Sequence, residues 1–234
     1  MTAGLHRVED AAEGLALEVR LFEASEPCVA LWHATSPALV CPAAYGRREG
    51  FVSAALRSRA RGWPVLTRPT GGGAVPQGAG VLNLAMATTV DRGFSNEDGY
   101  RLITFPIQSV GARFGLRIET GTTEGSFCDG TWNLSCNGRK LVGTAQRWRP
   151  LADGRAHILA HALILTHGPV AAETVDAFHT DLGLGPVRRE AHTTFEEELG
   201  PQGPELDDLA VALKTAARHA LAEAGPRVAA NLAA

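Results

Sequence analysis

The sequence predicts an α+β fold, a mixed, mostly antiparallel sheet with flanking helices. Three observations predict it. Apolar runs of strand type come early, helical stretches are interspersed without regular βα alternation, and a strong two-residue hairpin signal, Asn137-Gly138, lies mid-chain. At 234 residues with 45% apolar composition, the chain can bury a sizeable core. One domain over residues 1–234 is expected, without internal repeats.

The elements are taken in chain order. Cys28–Trp32 and Ala38–Cys41 read as strands joined by a Ser36-Pro37 turn signal. Phe51 to Arg61 has helical periodicity and stops at Gly62. Pro64–Arg68 reads as a short strand running into glycines, and Val81–Val90 as a longer strand. Glu97 to Phe114 reads as a helix with Leu102, Phe105, Val110 and Phe114 toward the core; Pro106 should kink or interrupt it. Leu134–Gln146 reads as a hairpin and Ile158–Thr166 as a buried strand, with helices at Val170–Leu182 and Leu206–Ala224.

A net charge of −3 and a pI near 6.2 supply no basic field for nucleic acid or a membrane surface. No apolar run approaches the ~18 residues of a membrane helix, and MTAGLHRVEDAAEG lacks the basic start of a signal peptide, so a cytoplasmic protein is expected. Cys28, Cys41, Cys128 and Cys136 form no CxxC pair. His157 and His161 are four apart, but their segment is too β-branched for a zinc helix, and no metal is expected. Lys140 and Lys214 are the only lysines among 22 basic residues. In so arginine-rich a chain, a retained lysine marks a site needing a compact ammonium. Lys214 lies in an alanine-rich helical stretch and reads as a solvated face; Lys140 does not.

Two segments carry chemistry. The first is TRPTGGGAVPQGAGVLNL, where Gly71, Gly72 and Gly73 follow a strand. It lacks the GK[ST] of a phosphate loop and is not GxGxxG. It reads either as a tight turn or as a place where backbone N–H groups approach an anion or carbonyl. Arg68 would pair with a phosphate or anchor the loop. The second is EGSFCDGTWNLSCNGRKLVGTAQRW. Closing the hairpin at Asn137-Gly138 pairs Cys136 with Arg139, Ser135 with Lys140 and Leu134 with Leu141. That puts Cys136 on a core face and Lys140 on the other. Cys128, in a polar glycine-bounded loop, is the candidate nucleophile, favoured by a nearby ammonium and opposed by Asp129. The Cys128 thiol, Lys140 and the Gly72–Ala74 backbone should line one pocket.

The blocks Arg68-Pro-Thr-Gly-Gly-Gly-Ala-Val75, Gly80-Val-Leu-Asn83, Gly138-Arg-Lys-Leu-Val-Gly-Thr-Ala-Gln146 and His161-Ala-Leu-Ile164 resemble, in order and spacing, the lipoate–protein ligase and octanoyltransferase family. The segment Ser126–Ser135 resembles its cysteine-dependent branch, the octanoyl and lipoyl transferases. The resemblance implies the catalytic-domain fold shared with biotin–protein ligases. It implies an acyl-binding site made by Arg68, Thr70, Gly71, Gly72, Gly73, Ala74, Val75, Asn83, Gly143, Thr144, Ala145 and His161. It also implies Cys128 as a thioester-forming nucleophile and Lys140 as the group that polarises the acyl carbonyl. The implied reaction moves an octanoyl or lipoyl group onto a lysine of a carrier protein (a lipoyl domain or a glycine-cleavage H-type protein), from an acyl- or lipoyl-carrier donor. It needs no cofactor, and a monomer is expected. Pro76-Gln77 replaces the His-Asp type sequence of ligases, and only about one helix follows residue 200, so the ligase accessory domain is not expected. An ATP- and Mg²⁺-dependent lipoate ligase remains the alternative reading. A non-catalytic binder of carriers or of a small acid is a further one.

Overall fold

The structure, a computed structural model, describes residues 4–24 and 26–224. Its frame is a seven-stranded sheet in the order β1 (Leu5–Val8), β2 (Cys28–Ala34), β6 (Val81–Val90), β10 (Ala156–Leu165), β9 (Arg139–Pro150), β8 (Leu134–Cys136) and β7 (Ile118–Thr120). In it only β1 and β2 pair in parallel; the other neighbours are antiparallel. A smaller sheet has the order β4 (Val65–Arg68), β3 (Ala38–Pro42), β5 (Val75–Gln77). The expected mixed, mostly antiparallel sheet is therefore present.

The central strands β6 and β10 are apolar on both faces, as strands covered from both sides must be. Leu82, Leu84 and Met86 of β6, with Ile158, Ala160 and Ile164 of β10, pack in one cluster with residues of α3 (Asn96–Arg113) and α6 (Leu206–Ala224). The alternate residues Val81, Leu163 and Leu165 join a second cluster with the small sheet, α2 (Phe51–Ala60) and α4 (Ala172–Asp181). Ser95 and Asp98 close a capping box at the start of α3. A short helix α5 (Phe195–Leu199) precedes α6.

The strands β2 and β3 enter different sheets, so the Ser36-Pro37 turn is a crossing between layers. The structure corrects two readings. Phe105 is 56% exposed rather than a core residue. Pro106 is buried inside α3, which runs through it without interruption. β1 and α1 (Ala11–Glu23) were not foreseen. α1 begins where Asp10 accepts hydrogen bonds from the N–H groups of Ala12 and Glu13. Among the described residues no helix is long and apolar enough to cross a membrane.

α1 brings Glu18 over the sheet. Gly14 permits the approach, since a Cβ there would lie 2.2 Å from the Trp32 ring. Gly14→Ala should therefore lower stability by about 1–3 kcal/mol through overpacking, despite alanine's better helix propensity. A urea unfolding curve reads this; a midpoint at or above the parent's would show that Trp32 has room to move.

Candidate active site

The Asn137-Gly138 turn closes the β8–β9 hairpin with φ of 50° and 73°, as a type I′ turn requires. Ser135 faces Lys140 and Cys136 faces Arg139, as expected. Leu134, however, pairs with Val142 instead of Leu141, because an irregularity between Leu134 and Ser135 shifts the register. Cys136 is buried in the same cluster as Leu134, Leu141 and Val142. Burial pushes its thiol up to about 11.

Lys140 is fully buried. Its Nζ donates to the Phe127 carbonyl and, at 2.9 Å, to the Cys128 carbonyl, and it lies 5.0 Å from the Phe127 ring centroid. Burial pushes Lys140 down to about 8, against the opposing pull of Cys128 and Asp129. Its ammonium lies beneath the cysteine loop, holding that loop's carbonyls, and does not line the open cleft. This corrects the expectation of one pocket lined by both side chains. The Cys128 carbonyl also accepts from Asn133 Nδ2 at 2.7 Å. The Asp129 carboxylate accepts from the Thr123 N–H at 2.8 Å.

Cys128 adopts φ of 51°, which is uncommon for a side-chain-bearing residue. Its Sγ accepts from the Gly73 N–H at 2.9 Å. The glycines allow this contact: a Cβ at Gly72, where φ is 98°, would sit 2.7 Å from Sγ, and one at Gly73 would sit 3.0 Å from the Cys128 Cα. Arg68 holds the loop from inside, donating to the carbonyls of Val40, Gly71 and Gly73 at 2.8–2.9 Å. Of its two sequence readings, the anchoring one describes its contacts. Ala74 and Val75 are buried beside it, while Gly71 is exposed.

Cys128 lines a cleft of about 40 Å³ with Arg68, Val75, Asn83, Gly143, Thr144, Ala145 and His161. A second cavity of about 130 Å³, bordered by Thr70, shares the wall Leu15, Glu18 and Arg68. Sequence reasoning missed the polar chain along this wall. Trp32 Nε1 donates to Glu18 at 2.9 Å, Glu18 lies 3.1 Å from His161 Nδ1, and His161 Nε2 lies 3.1 Å from the Thr70 hydroxyl. Burial alone would raise Glu18; His161, Trp32 and Arg68 outweigh it and hold the carboxyl below its usual range. Asn83 makes a reciprocal amide pair with Gln77, both bonds 2.9 Å. His192 was missed too: its Nε2 accepts from the Phe127 N–H at 3.1 Å. No local motif marked it, because it lies 65 residues from its partner. His157 and His161 lie on β10, not a helix.

Residues 10–181 match the family described as the lipoyl protein ligase A/B catalytic domain. The chain belongs to this family. An octanoyl-[GcvH]:protein N-octanoyltransferase from Kyrpidia tusciae is 36% identical over 163 residues, 66% of this chain and 56% of that protein. The match thus spans little more than half of that relative's length. A lipoyl-[GcvH]:protein N-lipoyltransferase from Listeria monocytogenes is 36% identical over 88 residues, 37% of this chain and 32% of that protein. Among solved structures, lipoate-protein ligase A bound with ATP superposes with a TM-score of 0.71 at 16% identity, covering 95% of this chain and 86% of that one. A bipartite lipoate protein ligase from Thermoplasma acidophilum gives 0.63 at 16% identity, covering 93% and 82%. These likenesses establish the catalytic-domain fold.

The close contact of the two loops is testable. Gly72→Ala should break the Sγ contact, because the new methyl needs a strained φ and the space of the sulfur; the alkylation rate of Cys128 by iodoacetamide should change at least about threefold. An unchanged rate would show that the loop yields freely. The buried histidines predict a response to acid. Burial, reinforced by Lys140, pushes His192 down to about 4, and burial, reinforced by Arg149, lowers His157. The unfolded chain then binds more protons than the folded one below the ordinary histidine value of 6.5. Urea midpoints should therefore fall as pH drops from 6.5 toward 4; a flat profile over that window would contradict the burial argument.

Proposed function

We propose that the protein transfers an octanoyl or lipoyl group onto a lysine of a carrier protein through a thioester on Cys128. The observation that carries the reading is the Cys128 sulfur lining the cleft, held by the Gly73 N–H, with the Lys140 ammonium bonded to the carbonyl of its own loop. The names of the octanoyl and lipoyl transferases above support the substrate class and a GcvH-type carrier.

The cycle has two acyl transfers. The Cys128 sulfur attacks the acyl carbonyl of the donor; the sulfur–acyl bond forms, the donor's bond to its thiol or amine breaks, and that leaving group takes the proton. The carrier's lysine amine then attacks the thioester; the amide forms and the Cys128 sulfur leaves, recovering a proton. Both steps build negative charge on the carbonyl oxygen, which the buried positive charge of Lys140 and nearby backbone N–H groups stabilise. Thioester-to-thioester exchange is nearly isoenergetic, so this route consumes no ATP. The tail would enter the cleft beside Val75, Gly143 and Leu163. The cleft as it stands is far smaller than the roughly 300–1,000 Å³ of ordinary ligand pockets, so the tail must displace its wall.

Intact-mass measurement tests the reading. Mixing with an octanoyl-carrier donor should add one acyl group, removable by hydroxylamine and absent in Cys128→Ala. Cys136→Ala should retain the adduct at a packing cost of about 1 kcal/mol. Consumption of free acid only with ATP and Mg²⁺, with Cys128→Ala fully active, would make the protein a ligase instead.

Lys140→Arg supplies a second test. The site encloses a compact ammonium against the Gly143 backbone, with a Gly143 Cβ position only 3.5 Å from Lys140 Nζ. A planar guanidinium does not fit there, so transfer should fall by about a hundredfold or more although charge is kept. Near-normal transfer by that variant would remove Lys140 from the mechanism.

A further inference from the structure

We infer that His192 is a positioning residue for the nucleophile: as a neutral imidazole with its proton on Nδ1, it fixes the Ser126–Phe127 peptide, and with it the backbone that leads into Cys128 and aims its sulfur. This rests on the transferase reading above and adds a residue that acts through the loop without touching substrate.

Hydrogen-bond chemistry fixes the state of the ring. His192 is fully buried. Its Nδ1 lies 2.9 Å from the Arg188 carbonyl, an acceptor only, so Nδ1 must carry the proton. Its Nε2 lies 3.1 Å from the Phe127 N–H, a donor only, so Nε2 must be bare. Both partners are backbone groups, and together they admit one tautomer and exclude the charged form. The ring also stacks on the Phe127 ring, with centroids 4.3 Å apart.

Phe127 is thus gripped on both polar sides. Its N–H is taken by His192, and its carbonyl by Lys140 Nζ. The next carbonyl, that of Cys128, is held by Lys140 and Asn133. The segment carrying His192 is itself fastened to both neighbours. The Arg188 N–H donates to the Gly125 carbonyl at 2.8 Å, and the Thr193 N–H to the Lys140 carbonyl at 2.9 Å. The unusual backbone of Cys128 needs such over-determination, because a residue at φ of 51° persists only where its surroundings hold it. Lys140 holds the carbonyls of Phe127 and Cys128; without His192 the Phe127 N–H has no fixed acceptor, and the Ser126–Phe127 peptide that leads into Cys128 can rotate.

Three substitutions separate the contacts. His192→Gln places an acceptor near the Nε2 position, His192→Asn a donor near the Nδ1 position, and His192→Phe keeps the stacking only. Single-turnover acylation of Cys128 by an octanoyl-carrier donor should slow about tenfold or more in the Asn and Phe proteins, with KM for the donor within twofold, and recover to within about threefold of the parent in the Gln protein. Iodoacetamide alkylation of Cys128 should follow the same order. Since it uses no acyl donor, it still reads the positioning role if the parent proves not to be acylated, which would sink the transferase reading alone. Equal losses in all three variants, tracking their melting temperatures, would overturn the proposal. Nitrogen NMR of the unmodified protein gives a check independent of variant folding. His192 should show a protonated Nδ1 and a bare Nε2 between pH 5 and 8, and the opposite tautomer would overturn the assignment.

Discussion

A buried ammonium under a backbone loop is the constraint on which the site depends. Lys140 is 0% exposed, and its charge would be costly there without partners. It is reconciled with burial by carbonyl oxygens of Phe127 and Cys128 and by the face of the Phe127 ring. The dependence runs both ways: the charge needs the carbonyls, and the carbonyls hold the loop in the conformation that presents Cys128. An apolar residue at 140 would leave the Phe127 carbonyl without its donor, at about 1–3 kcal/mol, whereas the Cys128 carbonyl would keep Asn133. A single lysine thus contributes to loop order and to the electrostatics at the sulfur, so loss of activity alone would not apportion its roles.

The glycine loop meets this arrangement from the other side. Two backbones approach closely there, with the Cys128 loop supplying a sulfur and the glycine loop an N–H. Any side chain at Gly72 or Gly73 would occupy the space between them. Arg68 is spent on the loop's own carbonyls, so its guanidinium serves as internal scaffolding. Its fork geometry suits that work, because one group reaches carbonyls in two separate parts of the fold: Val40 on β3, and Gly71 and Gly73 beyond β4.

How much of this was legible in the sequence depends on how local each feature is. The hairpin turn, the face of Cys136 and the pairing of Ser135 with Lys140 depend on a few adjacent residues, and Asn137-Gly138 sufficed for them. The Leu134 pairing failed because an irregularity leaves no fixed composition signature. The glycine loop and Cys128 were identifiable as chemistry-bearing, but their direct contact spans 55 residues and no spacing encodes it. Glu18 was hidden for a related reason. It sits in a helix whose own pattern says only that one face is buried, and its meaning comes from Trp32 and His161 on separate strands. Phe105 misled because helical periodicity predicts a face without saying whether a neighbour covers its edge.

On the proposed function, the wall of the cleft constrains how an acyl tail would enter. Glu18 is held by Trp32 and His161, and His161 in turn by Thr70, so this side is a satisfied polar chain. Pulling one member away exposes a buried carboxylate or leaves an indole N–H unpaired, each expensive. The other lining residues, Val75, Leu163 and Gly143–Ala145, offer apolar contacts that, on the proposed function, could be exchanged for those of an acyl tail at little net cost. Widening should therefore occur by shifts of apolar side chains such as Leu15, while the Trp32–Glu18–His161 chain stays fixed. On the proposed function, the polar chain would then limit the tail's depth, and Cys128 would set where the acyl carbonyl stops.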